Sequence, residues 1–468
     1  MPPQQSDGAP LPPFDGVSEG RLPEGALPLT GWRQTFSSLS GNRNFSLLYA
    51  GNIAFFFGMQ SMFILRGWLV IERWDDASLL GYIMASVALP MLLLAPVGGV
   101  VADRVDKRKL ILAAQASLVL TNSVIAALIL TDAIQFWHLL IVSAFSGAAF
   151  SFNMPSRQAL VAMLVPRDKL MNATALSTAA MNASAIVAPP LGGVLIASTG
   201  IGVSYTVATA LFLCAFAATL ALPAMPSIRQ QRFTFLEDFV GGFSYIKSSP
   251  LLLGLLLFTT VPMLFAQPYQ ILLPVFADRV WDVGEMGFGV LQGAAGVGGL
   301  LGALIIANLD AYPKKSRLLL GGALGFGGFL ALFALSPSFY LALVFMALVG
   351  FSAMTVMTVN NTSIQLIIPD EVRGRVMSVM MMSFGLMPLG AIPASTAAEA
   401  VGARPVVTVG AGLFVASVLL LFATIPAFRS LDRRLAEGRE REAARRSARR
   451  PEGAPAATPL PAAEPSRS

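Results

Sequence analysis

Gly98-Gly99-Val100-Val101-Ala102-Asp103-Arg104-Val105-Asp106 has a worn copy in Gly302-Ala303-Leu304-Ile305-Ile306-Ala307-Asn308-Leu309-Asp310, 204 residues further on. A second pair behaves the same way. Leu164-Val165-Pro166-Arg167-Asp168 lines up with Ile367-Ile368-Pro369-Asp370-Glu371 at a distance of 203 residues. Two separate segments agreeing on one offset read as a duplicated unit. In membrane carriers such duplication leaves two similar halves related by an axis along the membrane normal.

The residues around these copies are built for lipid. Hydrophobic residues make up 55% of the 468 positions and charged residues 12%, about half the charged share of a soluble domain. Mean hydropathy is +0.68. Apolar runs recur from Asn44 to Phe428, each near the roughly 20 residues that cross a bilayer core. Backbone in lipid must satisfy its own hydrogen bonds, so the runs are read as helices or barrel strands. Strands would alternate with period two, whereas Leu251–Phe258 and Leu341–Phe351 are apolar on every side.

The expected fold is therefore all-α and membrane-integral, with twelve transmembrane helices in two six-helix pseudo-symmetric halves. Spans fall at about 46–70, 79–102, 110–131, 136–156, 172–198, 202–224, 250–274, 286–309, 317–336, 339–367, 374–398 and 404–427. The domains follow: a cytoplasmic N-terminal tail at 1–44, a first half at 45–225, a linker at 226–249, a second half at 250–428 and a basic tail at 429–468. The linker stretch Phe233–Ile246 reads as a short amphipathic helix on the inner face. Residues 1–30 and 429–468 lack the apolar content to bury a core and are expected to be disordered. The arginine-rich second tail is either solvated or in contact with anionic headgroups.

Loop charge sets the orientation. One set of connections carries Arg104, Lys107, Arg108, Lys109, Arg157, Arg167, Lys169, Arg229, Arg232, Lys247, Lys314, Lys315, Arg317, Arg373 and Arg375. The other carries Arg73, Arg279 and Arg404. Basic loops stay in the cytoplasm, so both termini are placed inside, in a cell inner membrane. The net charge of +6 is attributed to this bias, with no nucleic-acid partner. Cys214, the single cysteine, excludes an intramolecular disulfide and is expected to be buried within Leu211–Leu222. His138 is the single histidine, so no metal site and no cofactor are expected. One histidine, one cysteine and scattered acids argue against an enzyme. Residues Met1–Thr30 show no signal-peptide pattern. No G-x-x-x-x-G-K-[ST] phosphate loop occurs, and the protein is expected to be monomeric.

Gly99-Val-Val-Ala-Asp103-Arg104-Val-Asp106-Lys107-Arg108-Lys109 resembles the G-x-x-x-D-R-x-G-R-[RK] loop of the major facilitator superfamily. Asp106 stands where that motif has glycine. The expected role is a conformational latch. Gly99 admits a neighbouring helix, Asp103 accepts from helix N-terminal amides, and Arg104, Lys107 and Arg108 anchor the loop. In the fifth helix, Ala188-Pro189-Pro190-Leu191-Gly192-Gly193 resembles the superfamily's antiporter motif G-P-x-x-G-G, with Ala188 in place of its first glycine. Pro189, Pro190, Gly192 and Gly193 would kink the helix and admit a neighbour, as a pivot for rocking or as packing. Tyr269–Asp278, Gly287–Gly299, Pro369–Ser378 and Pro155–Ala173 are similar to the branch that includes the enterobactin exporter and the macrolide efflux proteins. That branch often carries Gly-Asp in its first helix, where Gly51-Asn52 stands here. Phe136–Phe150 also lacks the fourth-helix arginine of many drug–proton antiporters.

Charge inside a membrane marks function by default. Arg66 is the leading candidate: it could take an anionic group, pair with Glu72, or snorkel to headgroups. Asn52, Gln60, Asn153, Asn182, Gln267, Gln292, Asn360 and Asn361 are further cavity candidates, with interhelical hydrogen bonding as their alternative role. Phe55, Phe56, Phe57, Phe145, Phe152, Met380, Met381, Met382 and Phe384 would suit a cavity for varied apolar ligands. The resemblance implies a secondary exporter of a small amphipathic compound by alternating access, coupled to protons. An importer or facilitator of a small solute and a non-transporting membrane sensor on the same fold are the other readings. No midplane carboxylate marks the coupling site.

Overall fold

The computed structural model describes residues 38–39, 42–166, 168–223, 243–309, 312, 314–369, 372, 375–377, 379–380 and 383–437. The side chains of 95–100, 102–104, 384 and 429 also lie outside the described residues. All regular structure among the described residues is helical. The main helices are α1 (Arg43–Trp74), α2 (Ser78–Arg104), α3 (Lys107–Leu130), α4 (Phe136–Leu164), α5 (Leu170–Thr199), α6 (Ile201–Leu220), α7 (Pro250–Val280), α8 (Gly284–Asn308), α9 (Lys315–Leu335), α10 (Phe339–Ile367), α11 (Met387–Val401) and α12 (Ala403–Thr424).

Ten of these are long and apolar enough to cross a membrane. The sequence reading expects twelve. The two outside that count are α2, whose described apolar run is Ser78–Leu94, and α11, with 15 residues behind the 3-10 turn Ser383–Leu386. Residues 1–37 and 438–468 of the tails, most of the linker helix Phe233–Ile246, and Met381 and Met382 lie outside the described residues. The start of the second tail is ordered, against the expectation: 431–437 is helical, Leu431 and Leu435 are buried, and Asp432 accepts from Ser316. Cys214 is exposed on α6, against the expectation of burial. An apolar run in a membrane helix has a face that packs and a face that does not, and run length alone cannot tell them apart.

Local chemistry accounts for the ends. Asn42 caps α1 by accepting from the Phe45 amide at 3.0 Å, and its side-chain amide donates to the Leu164 carbonyl at 2.7 Å. Asp106 caps α3 by accepting from the Arg108 amide at 2.9 Å. Asp75 ends α1 in the left-handed region at φ 47°, which aspartate tolerates better than most residues.

α4 runs on through Pro155 to Leu164, past its expected end at 156. α7 is interrupted instead. Helix geometry stops at Phe265 and resumes at Tyr269, and Phe276–Val280 winds as a π-helix. Pro268 has no N–H for the Leu264 carbonyl, and Tyr269 donates to Ala266. The carbonyls of Leu264 and Phe265 then face glycines of other helices, Gly390 of α11 and Gly410 of α12.

The helix pairings repeat. α2·α4, α3·α4 and α3·α6 recur as α8·α10, α9·α10 and α9·α12. The two sets meet through α2·α11 and α5·α8. Arg279 at the end of α7 touches Asp75 at the end of α1, and Gly254 near the start of α7 lies against Phe428 beyond α12. The start of α1 and the end of α12 therefore share one face, called here the terminal face.

Glycines set the tightest approaches. A Cβ on Gly298 would overlap the Ala347 carbonyl, and one on Gly350 would overlap that of Ala295. Gly298→Val should therefore destabilise by about 1–3 kcal/mol through overpacking. It should lower the unfolding midpoint of the detergent-solubilised protein. Gly321→Val, which would meet nothing within 4 Å, should leave the midpoint in place.

Candidate functional site

Between the two sets of helices lies a cavity of about 250 Å³. α1 supplies Phe55, Met59, Met62, Phe63, Arg66 and Gly67. α2 supplies Met84, Val87 and Met91 among others, and α3, α4 and α6 add Asn122, Phe150 and Phe212. From the second set come Gln270, Ile271 and Pro274 of α7 and Phe288 of α8. The wall is apolar and aromatic, with a few polar groups set into it, as in sites for small ligands.

Arg66 is the charge on that wall. Its guanidinium donates to Ser146 Oγ at 2.6 Å, and the Ser146 hydroxyl donates in turn to the Val142 carbonyl at 2.9 Å. The buried Tyr205 hydroxyl lies close by, outside hydrogen-bonding geometry. Among the described residues Arg66 has no ion pair. Glu72 is exposed and does not pair with it. A guanidinium has five donors in a planar fork, so Arg66 offers unused donors to whatever fills the cavity.

The other predicted residues scatter. Asn52 and Asn153 join Arg157 in a separate buried cluster of α1 and α4. Asn360 donates to the Leu255 carbonyl at 3.2 Å and Thr259 Oγ1 at 2.8 Å, which is interhelical bonding between α10 and α7. Gln60, Asn182, Gln267, Gln292 and Asn361 are half-buried and stand off the cavity wall. Of the aromatic and methionine candidates, Phe55 lines it.

Met59, Met84 and Met91 escaped the sequence reading. Met59, Met62, Phe63 and Arg66 share one α1 face at helical spacing, and Met84, Val87 and Met91 do so on α2. That spacing was the available signal.

Pro189 and Pro190 sit at the α5·α8 interface. Gly289, Gly293 and Gly296 of α8 lie against Pro189, Pro190, Ala185 and Ile186 of α5, and Gly193 lies against the Glu285 backbone. Gly192 is buried facing Ile64 of α1. In the loop motif, the side chains of Gly99, Asp103 and Arg104 lie outside the described residues. Asp106 caps α3 and Lys107 is buried. Arg108 donates to the Thr219 and Leu220 carbonyls at 3.3 and 2.6 Å, at the electronegative end of α6.

At the face opposite the termini, Arg279 bridges both sets of helices. It reaches Asp75 Oδ1 at 2.7 Å and Glu399 Oε2 at 2.9 Å. Glu399 also accepts from the Ala77 amide at 2.7 Å. Arg73 pairs with Asp132 beside it, and Arg404 donates to the Ser336 carbonyl at 3.2 Å.

A family model described as transmembrane secretion effector matches residues 34–445. The chain belongs to this family, within the major facilitator superfamily. It is a multi-pass membrane transporter, not an enzyme. An enterobactin exporter of Shigella boydii serotype 18 is 28% identical over 280 residues, which is 60% of this chain and 67% of the relative. The Escherichia coli O1:K1 enterobactin exporter matches equally well, at 28% over the same length. Among solved structures, the nucleoside transporter NupG superposes with a TM-score of 0.66 at 15% identity, covering 81% of this chain and 98% of its own. A POT family transporter in complex with 5-aminolevulinic acid gives 0.67 at 13% identity, covering 83% and 97%. These two likenesses concern the fold alone.

Within this family fold, the Arg66–Ser146 bond can be tested by itself. A hydrogen bond to a charged group contributes about 1.5–3 kcal/mol. Ser146→Ala should lower stability by about that amount. Adding it to Arg66→Met should lower stability no further, as read from unfolding midpoints of the four proteins in a double-mutant cycle.

Proposed function

We propose that the protein is a secondary exporter of a small amphipathic compound, working by alternating access across a cell inner membrane. Arg66 carries the reading: one unpaired guanidinium in an otherwise apolar and aromatic wall, enclosed by helices of both sets. Such a site suits a solute with an apolar or ring-bearing body and one acidic or acceptor-rich group. The exporters among its relatives support the direction. The Pro189–Gly193 segment at the α5·α8 interface supports a pivot there.

In this reading the twelve main helices form two six-helix halves, at 45–225 and 250–428, supported by the repeated pairings and the shared sequence offset. The basic loops support cytoplasmic termini. The face opposite the termini is then the outer face, closed by Arg279, Asp75 and Glu399. Proton coupling rests on the family. The cavity wall carries no carboxylate among the described residues.

Flux into inside-out vesicles tests the site. Arg66→Met should cut the initial rate of the transported compound at least tenfold at unchanged protein level, and Arg66→Lys should recover part of it. A wild-type rate for Arg66→Met would sink the reading. Proteoliposomes with an imposed pH gradient test the coupling: an acidic lumen should accelerate uptake, and flux indifferent to the gradient would exclude protons.

The clasp is tested by accessibility. In a Cys214→Ser background with Met62→Cys, Arg279→Gln should speed labelling by an impermeant maleimide from the outer side several-fold. Unchanged labelling would mean that the clasp does not hold the outer face shut.

A further inference from the structure

A second guanidinium lies deeper than Arg66 and away from the cavity. Arg157 of α4 is 4% exposed. Its Nε donates to Asn153 Oδ1 at 3.0 Å, and Nη1 donates to Asn52 Oδ1 of α1. The Phe55 ring lies under its central carbon, 4.3 Å from the centroid. Among the described residues no carboxylate pairs with it.

The polar atoms around it are not spent. Arg157 Nη2, Asn153 Nδ2 and Ser156 Oγ are buried and have no hydrogen-bond partner among the described residues. Asn153 and Ser156 are both fully buried. Asn153, Ser156 and Arg157 share one face of α4 by their helical spacing. Asn52 and Arg157 lie roughly 10 to 14 Å from the terminal ends of their helices at 1.5 Å per residue. Both residues therefore lie inside their helices, about two turns from those ends.

A buried cation without a counter-charge is unfavourable unless something negative completes it. Asn52 and Asn153 supply carbonyl oxygens to Arg157 and no charge. The unused groups at Arg157 and Asn153 are N–H donors, and Ser156 can donate as well.

We propose that Arg157, Asn153, Ser156 and Asn52 form an anion-binding site inside the first set of helices. Its ligand is a small negative group accepting hydrogen bonds from Arg157 Nη2, Asn153 Nδ2 and Ser156 Oγ. Such a group reaches the site as an inorganic anion from solution or as the acidic end of an amphipathic solute. Phe55 separates the site from the cavity, since its ring lies on Arg157 on one side and lines the cavity on the other. A swing of that ring joins the two spaces.

The test is binding to the full-length protein in nanodiscs, read as the unfolding midpoint. Sodium chloride, sodium phosphate and sodium octanoate are each titrated at constant ionic strength against sodium isethionate, whose bulky sulfonate is a poor fit. Wild type should show a saturable rise with at least one probe. A rise with chloride or phosphate identifies an inorganic ion, and a rise with octanoate alone identifies the acidic end of an amphipath. Asn52→Asp supplies an internal carboxylate, so it should abolish the rise and start from a higher midpoint in isethionate. Lys109→Gln, at an exposed position of the basic loop motif, should keep the wild-type response. If Asn52→Asp does not fold, Asn153→Asp takes its place in the same titration. No saturable rise in wild type, or an undiminished rise in the aspartate variant, would overturn the proposal and leave a polar layer that holds water. No flux is read, so failure here and failure of the export reading remain distinguishable.

Discussion

A proline inside a membrane helix leaves the carbonyl four residues earlier without its amide, and lipid offers no substitute donor. Some of the closest contacts between helices are arranged around such carbonyls. Pro189 and Pro190 release Ala185 and Ile186, and α8 approaches there through Gly296 and Gly293. Pro268 releases Leu264, and α11 approaches through Gly390. The break in α7 also turns the Phe265 carbonyl towards Gly410 of α12. Each freed carbonyl meets a residue with no side chain. The neighbour's backbone then comes close enough for its Cα hydrogens to face the oxygen, a weak but repeated attraction. The places where α5 meets α8, and where α7 meets α11 and α12, follow from where the prolines stand.

With the backbone accounted for, the interior charges stand out. Arg66 and Arg157 are both on helices of the first set, and both lack a described counter-ion. They differ in surroundings. Arg66 is half-buried on a cavity wall with a serine and a tyrosine beside it. Arg157 is enclosed by two carboxamides and an aromatic ring. A guanidinium stacks on aromatic faces and is more weakly hydrated than an ammonium, which makes arginine tolerable where lysine would not be. The first set of helices thus presents positive potential at two depths, and an acidic solute or ion is the natural complement of both.

The helices were legible because periodicity and run length carry them. α10 falls at 339–367 in both the sequence reading and the structure. The break in α7 was not, because a run from Pro250 to Pro274 stays apolar whether or not its hydrogen bonds continue. The site was legible only in part. Arg66 announces itself as a charge in an apolar run. Asn52, Asn153 and Asn360 announce themselves equally, and none lines the cavity. A carboxamide in lipid seeks any partner, so its presence marks a contact and says nothing of whether the contact is with a solute or another helix. The methionines of α1 and α2 carry no unusual chemistry. They become visible only when helix spacing puts them on one face beside Arg66.

The far-face clasp has the energetics that a moving part requires. The Arg279 side chain is 30% exposed, Asp75 77% and Glu399 38%. Exposed pairs of this kind contribute about 0–1 kcal/mol each. Two carboxylates sharing one guanidinium hold the ends of α1, α7 and α11 together, yet water can replace them at little net cost. The glycine interfaces of α5·α8 offer no such exchange, since their contacts are backbone against backbone and resist separation. Motion therefore divides naturally. Under the proposed alternating access, the ends held by ion pairs would part, while the glycine faces would stay in contact and turn against one another. In the proposed cycle, a solute that neutralises Arg66 would change the charge between the two sets of helices, and the ends to move would be the ones whose attachment costs least to release.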